Sequence, residues 1–307
     1  MFGLINLNKP KGLTSRDAVN RVQWLVRQAE GEGGRLAPKK TSSRVGHAGT
    51  LDPIATGVLV VCLGPATRLI EHVQRQPKRY RGTFLLGRRS PSDDVELEAE
   101  LLADPPVPTV ADIAAALPAF VGQIEQVPPA YSAIKIKGQK AYDLARKGQR
   151  VEIAPRPVTI HGIDIVRYDY PELVLGIRCG SGAYIRALGR DLAESLGTAA
   201  VMSELVRTAI GEFHVDDAIS VQDLSEDILG GVVLPAEWAA PDLPRVELSA
   251  GQVVELRHGR PVDRPVAGDP PEIVLMTPDG DFFGLGKIGR AGKLWPVRVF
   301  DVAKERE

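Results

Sequence analysis

Hydrophobic and polar positions along the first 242 residues follow patterns that predict both strands and helices. A β-branched apolar run from Val58 to Leu63 predicts a buried strand, and the alternation from Phe2 to Asn8 predicts another. Apolar residues at helical spacing up to Val26 predict a helix that starts at Ser15, with the Ser15 side chain as its N-cap. Further elements are predicted in chain order: a helix over Ala66–Val73, a strand over Lys78–Gly87, an exposed acidic loop with short strand character over Ser90–Asp104, a helix capped by Thr109 that reaches Phe120, an antiparallel pair over Val158–Tyr168 and Glu172–Cys179, and a helix ending at Leu196.

From Leu243 onward the pattern changes to short apolar runs separated by Gly, Pro and Asp. The runs are Val246–Leu248, Val253–Leu256, Ile273–Met276, Phe282–Leu285 and Trp295–Phe300. Such spacing predicts a small all-β domain of short strands and turns. Two domains are therefore expected, at residues 1–242 and 243–307.

One glycine-rich turn presents a single carboxylate. Three glycines fall within the twelve residues from Gly46 to Gly57, and Asp52 stands between them, directly before Pro53. The proline disfavours helical geometry at Asp52, so the carboxylate is displayed on a turn that the following strand supports. The alternative is structural, since an Asp before Pro is also common as a turn starter or N-cap.

Composition limits the classes of partner. Lys and Arg number 38 against 39 Asp and Glu, so a nucleic-acid site would have to be a local patch. Seven Lys or Arg against two acids lie between Lys135 and Arg156, close to Tyr131 and Tyr142. This run suits a surface that follows phosphates, and its alternative is a solvated face.

Cysteine use and hydropathy indicate a cytoplasmic protein. Cys62 and Cys179 each lie in an apolar run, which predicts buried thiols in a reducing compartment, without metal-ligand spacing or a disulfide framework. No apolar run is long enough for a membrane span. The run from Gly284 to Gly289 matches a dinucleotide fingerprint by letters, but no helix is predicted after it, and Leu294 stands where a P-loop needs Ser or Thr. Nucleotide binding is therefore not expected there.

The glycine-rich turn also matches a family pattern. Gly46-His47-Ala48-Gly49-Thr50-Leu51-Asp52-Pro53-x-Ala55-x-Gly57-x-Leu59, followed by Gly64-x-Ala66-Thr67, resembles the signature of the TruB family, the tRNA pseudouridine-55 synthases. Four further stretches resemble that family's motifs in the same order, so the resemblance covers nearly the whole chain: Lys9–Ser15, Lys78–Gly87, Gly182–Arg186 and Met202–Phe213. A looser match at His258–Val262 resembles the PUA module.

The resemblance implies an α+β fold. The catalytic domain is expected to hold a mixed, mostly antiparallel central sheet and a thumb segment at about residues 126–150, which closes over the RNA stem-loop. The small all-β domain is expected to be a PUA-like RNA-binding module.

The resemblance also assigns catalytic roles. Asp52 is the expected nucleophile and Arg186 its partner, whose guanidinium favours the carboxylate and lowers the pKa of Asp52. Tyr184 is expected against the target base, as a candidate general base. Without the resemblance, Arg186 and Tyr184 would be interpreted as a surface arginine at a helix start and a core tyrosine.

Five more residues are expected around the substrate. Tyr80 would stack on the flipped base, Leu205 would line the uracil pocket, and His47 would support the loop that the uridine leaves. Lys9 and Pro10 would support the site structurally. The alternatives are a half-buried sheet aromatic for Tyr80, core packing for Leu205 and a polar turn residue for His47.

The expected reaction is the isomerisation of uridine to pseudouridine in the T loop of tRNA, at position 55, without a metal or other cofactor. The target base has to leave its stack to reach Asp52, and water has to be excluded from the freed base. Attack at C6 of the base, attack at C1′ of the sugar and a glycal route all stay open. A cytoplasmic monomer that acts on tRNA without a protein partner and without a membrane is expected.

Two rival functions stay open on the sequence alone. A non-catalytic RNA-binding or chaperone protein on the same scaffold predicts loss of Asp52 or Arg186, and both residues are present. A homologue that acts at guide-RNA-selected sites within a complex predicts extra basic tails, and this sequence has none. The Gly-rich, then basic stretch at residues 30–43 is interpreted as an inserted linker, with RNA contact as the alternative.

Overall fold

The structure, a computed structural model, describes residues 1–29, 31, 44–132, 134–136, 139–146, 153–264, 268 and 270–300. The predicted linker at residues 30–43, except residue 31, lies outside the described residues. For most of the basic run between Lys135 and Arg156, either the residue or its side chain lies outside them. The α-helices of the described part are α1 Ser15–Ala29, α2 Ile70–Arg75, α3 Val110–Ala116, α4 Ala141–Arg146, α5 Ile185–Ser195, α6 Glu226–Leu229 and α7 Ala250–Arg257.

The strands are β1 Gly3–Lys9, β2 Val45–His47, β3 Thr56–Leu63, β4 Lys78–Leu86, β5 Arg88–Arg89, β6 Glu100–Leu101, β7 Gly122–Gln126, β8 Lys135–Ile136, β9 Gln139–Lys140, β10 Arg156–Asp169, β11 Glu172–Cys179, β12 Ala200–Ile210, β13 Phe213–His214, β14 Ile219–Ser220, β15 Arg245–Glu247, β16 Ile273–Met276, β17 Phe282–Ile288 and β18 Leu294–Val299. The main sheet has the order β14-β1-β3-β12-β4-β11-β10-β7, with β2 on β3 and β13 on β12. Only the β1–β14 and β3–β12 pairs of this sheet are parallel among the described strands. The α+β class and the mixed, mostly antiparallel sheet are thus confirmed.

Helices α1 and α5 pack on the main sheet and begin beside the glycine-rich turn. Buried side chains of α1 pack on β1 and β3, and those of α5 pack on β4, β11 and β12. The predicted N-cap is wrong by one residue, because the Thr14 hydroxyl accepts from the Asp17 amide at 3.1 Å. The Ser15 hydroxyl instead bonds the backbone of Leu51, at 2.9 Å from its N and 3.1 Å from its O. The start of α1 is therefore tied to the turn that carries Asp52.

The C-terminal part forms a second sheet, β15-β16-β17-β18, with α7 beside it. The small β domain is confirmed, but the run Val253–Leu256 lies in α7, capped by the Ser249 hydroxyl, and not in a strand. The Gly284–Gly289 stretch lies mostly in β17 and is followed by a short turn and β18, as the rejection of nucleotide binding requires. Phe282 and Phe300 stack with Phe2, so the two sheets share one apolar cluster.

Two other predictions have clear outcomes. Cys62 and Cys179 are buried as expected, and burial raises their pKa values to about 12 and about 11. The interpretation of residues 90–104 as an exposed loop is wrong at Ser92 and Asp94, which are buried. The predicted short strand character is confirmed by β6, which lies within this stretch and pairs with β5. The segment between β5 and β6, residues 90–99, is called the acidic loop below.

Candidate active site

A cleft of about 370 Å³ opens where the glycine-rich turn, the start of α5 and the ends of β4 and β12 meet. Its volume falls in the range of roughly 300–1,000 Å³ that is usual for small-ligand sites. Five predicted site residues line it together: Asp52, Tyr80, Tyr184, Arg186 and Leu205. Residues not singled out from the sequence also line it, among them Gln74, Lys78, Ser132 and Arg207.

Lys9 holds the turn that carries Asp52 through hydrogen bonds to backbone carbonyls. Its buried ammonium donates to the carbonyls of Pro10 at 2.9 Å, Leu13 at 2.6 Å and Pro53 at 3.5 Å. Burial lowers the pKa of Lys9 to about 8, and the Asp52 carboxylate opposes that shift. Lys9 and Pro10 do not line the cleft. Lys9 instead contacts the backbone of the turn, at Pro53, next to Asp52.

Arg207 fixes the same turn from the side. Its side chain is fully enclosed, and Nε donates to the Val58 carbonyl at 2.7 Å while Nη2 donates to the Gly49 carbonyl at 3.0 Å. At Gly57 φ is +98°, and a Cβ would lie 2.2 Å from the Arg207 carbonyl oxygen. Glycine is therefore required there, both for the backbone conformation and for the close strand approach.

Arg186 joins three segments of the chain at the cleft. Its Nη2 lies 3.1 Å from Asp52 Oδ2 and donates to the Tyr131 carbonyl at 3.1 Å. Its Nη1 donates to the Ser92 carbonyl at 2.7 Å and to Asp94 Oδ2 at 3.0 Å. These four acceptors, called the Arg186 cage, account for the burial of the guanidinium, since a buried charge needs paired acceptors.

Asp94 is the principal residue that sequence reasoning missed. It is completely buried and also accepts hydrogen bonds from the Ser92 hydroxyl at 2.5 Å and the Glu96 amide at 3.0 Å. The acidic stretch from Ser90 to Asp104 holds six carboxylates, and nothing in its pattern separates the buried one from the others. The charged partner of Asp94 is Arg186, which follows 92 positions later in the chain.

The pKa of Asp52 is raised, contrary to the expectation from Arg186 alone. Burial is the largest cause, and the negative charge of Asp94 adds to it. Arg186 and Lys9 act in the opposite direction and favour the ionised carboxylate. The sequence argument included the guanidinium but not the loss of solvent around the carboxyl group.

Two tyrosines form polar walls of the cleft. Tyr80 lies on β4, directly across from Arg207 on β12, and Tyr184 is the N-cap residue of α5. Burial raises the pKa of both phenols, so they keep their protons at neutral pH. A protonated phenol at Tyr184 suits hydrogen-bond donation better than general-base catalysis. Gln126 holds the Tyr184 backbone with two bonds, at 2.8 Å and 3.0 Å.

Leu205 and His47 occupy different surroundings. Leu205 lies opposite Gly82 in the β12–β4 pair, is buried, and presents an apolar wall to the cleft. His47 lies on β2 opposite Val61 and is not part of the cleft lining. Burial, together with the nearby charge of Arg16, lowers the pKa of His47, which keeps its imidazole neutral at pH 7.

Among the described residues, no group of three or more His, Cys, Asp or Glu side chains could hold a metal ion. In the same part of the chain, none of the helices has the length and apolar character needed to cross a bilayer.

Comparison with known proteins gives matches along most of the chain. The model described as "TruB family pseudouridylate synthase (N terminal domain)" matches residues 37–185. Models described as "tRNA pseudouridylate synthase B C-terminal domain" and "Pseudouridine synthase II TruB, C-terminal" match residues 186–239 and 244–300.

Two curated relatives named tRNA pseudouridine synthase B show the extent of the similarity. The protein from Nostoc sp. is 37% identical over 308 residues, which cover 98% of this chain and 99% of that protein. The protein from Thiobacillus denitrificans is 38% identical over 302 residues, covering 97% and 95%.

A solved structure, "Crystal Structure of a Cbf5-Nop10-Gar1 Complex", contains a chain with a TM-score of 0.70 and 24% identity, covering 98% of this chain and 84% of that one. That likeness supports the fold alone. The extent and level of the sequence matches are sufficient for assignment, and this chain belongs to the TruB family of pseudouridylate synthases, which are isomerases.

Proposed function

We propose that this enzyme isomerises uridine to pseudouridine at position 55 in the T loop of tRNA, with Asp52 as the nucleophile. The observation that carries the proposal is the carboxylate of Asp52 in a cleft, 3.1 Å from the buried guanidinium of Arg186. The names of the curated relatives support tRNA as the substrate.

The cleft walls suit a uracil ring that has left its stack. Stacking of a base on an aromatic side chain such as Tyr80 is worth roughly 1–3 kcal/mol. Leu205 would form an apolar wall of the uracil pocket, and Tyr184 would lie against the base. Base flipping gives the uridine access to Asp52, which a stacked base in a folded loop does not have.

The chemistry needs one ionised carboxylate and a dry cleft. As the N1–C1′ bond breaks, Asp52 either forms a bond to C6 or C1′ or takes the C2′ proton of the ribose in a glycal route. The bond to Asp52 breaks again, or the C2′ proton is returned, as the product forms. The uracil turns, a C5–C1′ bond forms, and the C5 proton is released to solvent. Arg186 holds Asp52 in place and favours its ionised form, and exclusion of water prevents loss of the base.

A non-catalytic role on the same scaffold is the weaker candidate. A protein that only binds RNA has no need of a carboxylate and a guanidinium paired at the cleft, and here the pair is retained at 3.1 Å.

We propose the thumb segment at residues 126–150 and a PUA-like domain at residues 243–307 as the RNA contacts. In support of the first, seven Lys or Arg against two acids lie between Lys135 and Arg156, close to Tyr131 and Tyr142.

We further propose that the enzyme acts in the cytoplasm as a monomer that needs no protein partner. The purified protein should be active without any added protein, and analytical ultracentrifugation should give the mass of a single chain. Dependence of the activity on added protein would contradict it.

Tritium release from tRNA labelled at C5 of uridine tests the central proposal. The wild type should release tritium, whereas Asp52→Asn should release none while still binding the tRNA. A transcript with cytidine in place of the target T-loop uridine should also release none from that position. A folded wild type that binds tRNA without releasing tritium would refute catalysis and favour the RNA-binding alternative.

A further inference from the structure

The Arg186 cage depends on two segments outside the glycine-rich turn. One is the acidic loop, which supplies Ser92 and Asp94, and the other is the stretch at residues 127–132, which supplies the Tyr131 carbonyl and is called the thumb root here. The acidic loop has few backbone contacts of its own, mainly a bridge from Asp93 and Val95 to Met202. Something else has to hold both segments beside Arg186.

Arg190 contacts the same two segments, one helical turn further along α5. Its Nη1 lies 2.8 Å from Asp93 Oδ2 in the acidic loop, and its Nη2 donates to the Val127 carbonyl of the thumb root at 2.9 Å. Its Nε donates to Asp191 Oδ1 at 2.8 Å, which fixes the plane of the guanidinium. Residues four apart on a helix share a face, so Arg186 and Arg190 reach neighbouring parts of each segment.

The backbone at Asp93 links the two arginines. Its φ is +60°, a left-handed conformation that is uncommon outside glycine, although aspartate adopts it more often than most residues. With this turn, the Asp93 carboxylate bonds Arg190 while the adjacent Asp94 carboxylate bonds Arg186. Consecutive acids of one loop thus pair with arginines one turn apart on one helix.

We propose that Arg190 is a positioning residue for the reaction, fixing the acidic loop and the thumb root so that Asp94 and Tyr131 hold Arg186 against Asp52. The inference rests on the proposed role of Asp52. Arg190 does not line the cleft, so it acts through Arg186 and not on the substrate.

Loss of Arg190 should therefore change the ionisation of Asp52. The titratable and charged groups that face Asp52 are Arg186, Lys9, Asp94, Glu96, Tyr80 and Tyr184. Arg186 is the foremost of the groups that lower the pKa of Asp52. A loosened guanidinium lowers it less, so the acid limb of the rate profile moves to higher pH.

Single-turnover tritium release from C5-labelled tRNA, measured across the acid limb, tests this with Arg190→Gln in the full chain. We expect the limb to move up by about half a pH unit, which is about a threefold loss of rate at a pH on the limb. Affinity for tRNA is measured by filter binding, and the enzyme is kept in excess at saturating concentration so that a change in affinity does not enter the rate. The control is Arg167→Gln, which removes an exposed ion pair with Glu172 between β10 and β11 and should leave the limb in place.

A folded Arg190→Gln variant with the wild-type rate and acid limb would overturn the proposal, even if its Tm were lower. If that variant does not fold, Asp93→Asn removes the charge partner more gently, and an unmoved limb there would overturn the proposal equally. A wild type that releases no tritium from tRNA is a different result, since it contradicts the proposed function on which this inference depends. An upward shift in either variant, with the control unchanged, supports Arg190 as a positioning residue.

Discussion

Replacement of Asp94 by asparagine probes the carboxylate behind Arg186. In the native site one oxygen, Oδ1, accepts from Ser92 and Glu96, and the other, Oδ2, accepts from Arg186 Nη1 at 3.0 Å. An asparagine that keeps the first two bonds places its NH₂ group against the guanidinium. Donor then faces donor in a buried position, and the ion pair is lost.

The expected cost follows from the burial of both partners. Removing one member of a buried ion pair costs about 3–5 kcal/mol. Arg186 Nη1 keeps the Ser92 carbonyl at 2.7 Å, and Nη2 keeps Asp52, so the lower end of that range, about 3 kcal/mol, is expected. At roughly 2–4 °C per kcal/mol for a large domain, Tm should fall by roughly 6–12 °C.

The same variant should shift the acid limb in the direction opposite to Arg190→Gln. Three acceptors of the Arg186 cage, Asp52 and the carbonyls of Ser92 and Tyr131, still hold the guanidinium beside Asp52 in this variant. The lost negative charge of Asp94, which raises the pKa of Asp52, therefore decides the direction: that pKa falls and activity extends to lower pH. The plateau rate should nevertheless fall, because Arg186 loses an orienting partner. Thermal unfolding by circular dichroism and the tritium-release profile measure the two effects separately.

Asp164→Asn is the matched control, since Asp164 is an exposed carboxylate on β10, away from the cleft. It should leave both Tm and the rate profile unchanged. An Asp94→Asn variant with the Tm and acid limb of the wild type would refute the electrostatic role argued here for the buried carboxylate.

Two further substitutions test how the turn and the helix start are held. Gly57→Ala places a Cβ 2.2 Å from the Arg207 carbonyl oxygen, at a residue whose φ is positive. It should lower the free energy of unfolding by about 3 kcal/mol or more, measured by thermal unfolding. The control Gly230→Ala, with open space around its Cβ, should change it little. Gln126→Leu removes both hydrogen bonds to the Tyr184 backbone. It should lower the free energy of unfolding by about 2 kcal/mol and also lower the single-turnover rate. A wild-type rate in this variant would show that catalysis does not depend on the support of Tyr184 by Gln126.

Local patterns in the sequence predicted five of the ten strands of the main sheet, but not its central strand β12. The strands at β1, β3, β10 and β11 and the N-cap of α3 at Thr109 match their predicted places, because alternation and capping depend on neighbours within a few residues. The run Val253–Leu256 misled for the same reason. Four apolar residues fit a short strand and a buried helix turn equally well, and the Ser249 cap decided the outcome.

The candidate site was predictable only where a motif carried it. Asp52, Arg186, Tyr80, Tyr184 and Leu205 converge on one cleft, as the motif resemblance implies. Their supports were not predictable, because each owes its role to a distant partner. Asp94 and Arg186 are 92 positions apart, and the contact of Arg207 with Val58 spans 149 positions.

Charge balance explains how the partly buried Asp52 can remain available as a nucleophile. Burial excludes water and raises the pKa of the carboxyl group, which opposes the ionised form that the reaction needs. Two carboxylates, Asp52 and Asp94, face two cations, Arg186 and Lys9, so these four side chains together carry no net charge when all are ionised. A pKa of about 8 leaves Lys9 largely protonated at neutral pH. Lys9 favours the ionised Asp52 and also holds the turn, whereas Asp94 opposes the ionisation of Asp52 and orients Arg186. These two effects of Asp94 are why its loss should shift activity to lower pH while reducing its maximum.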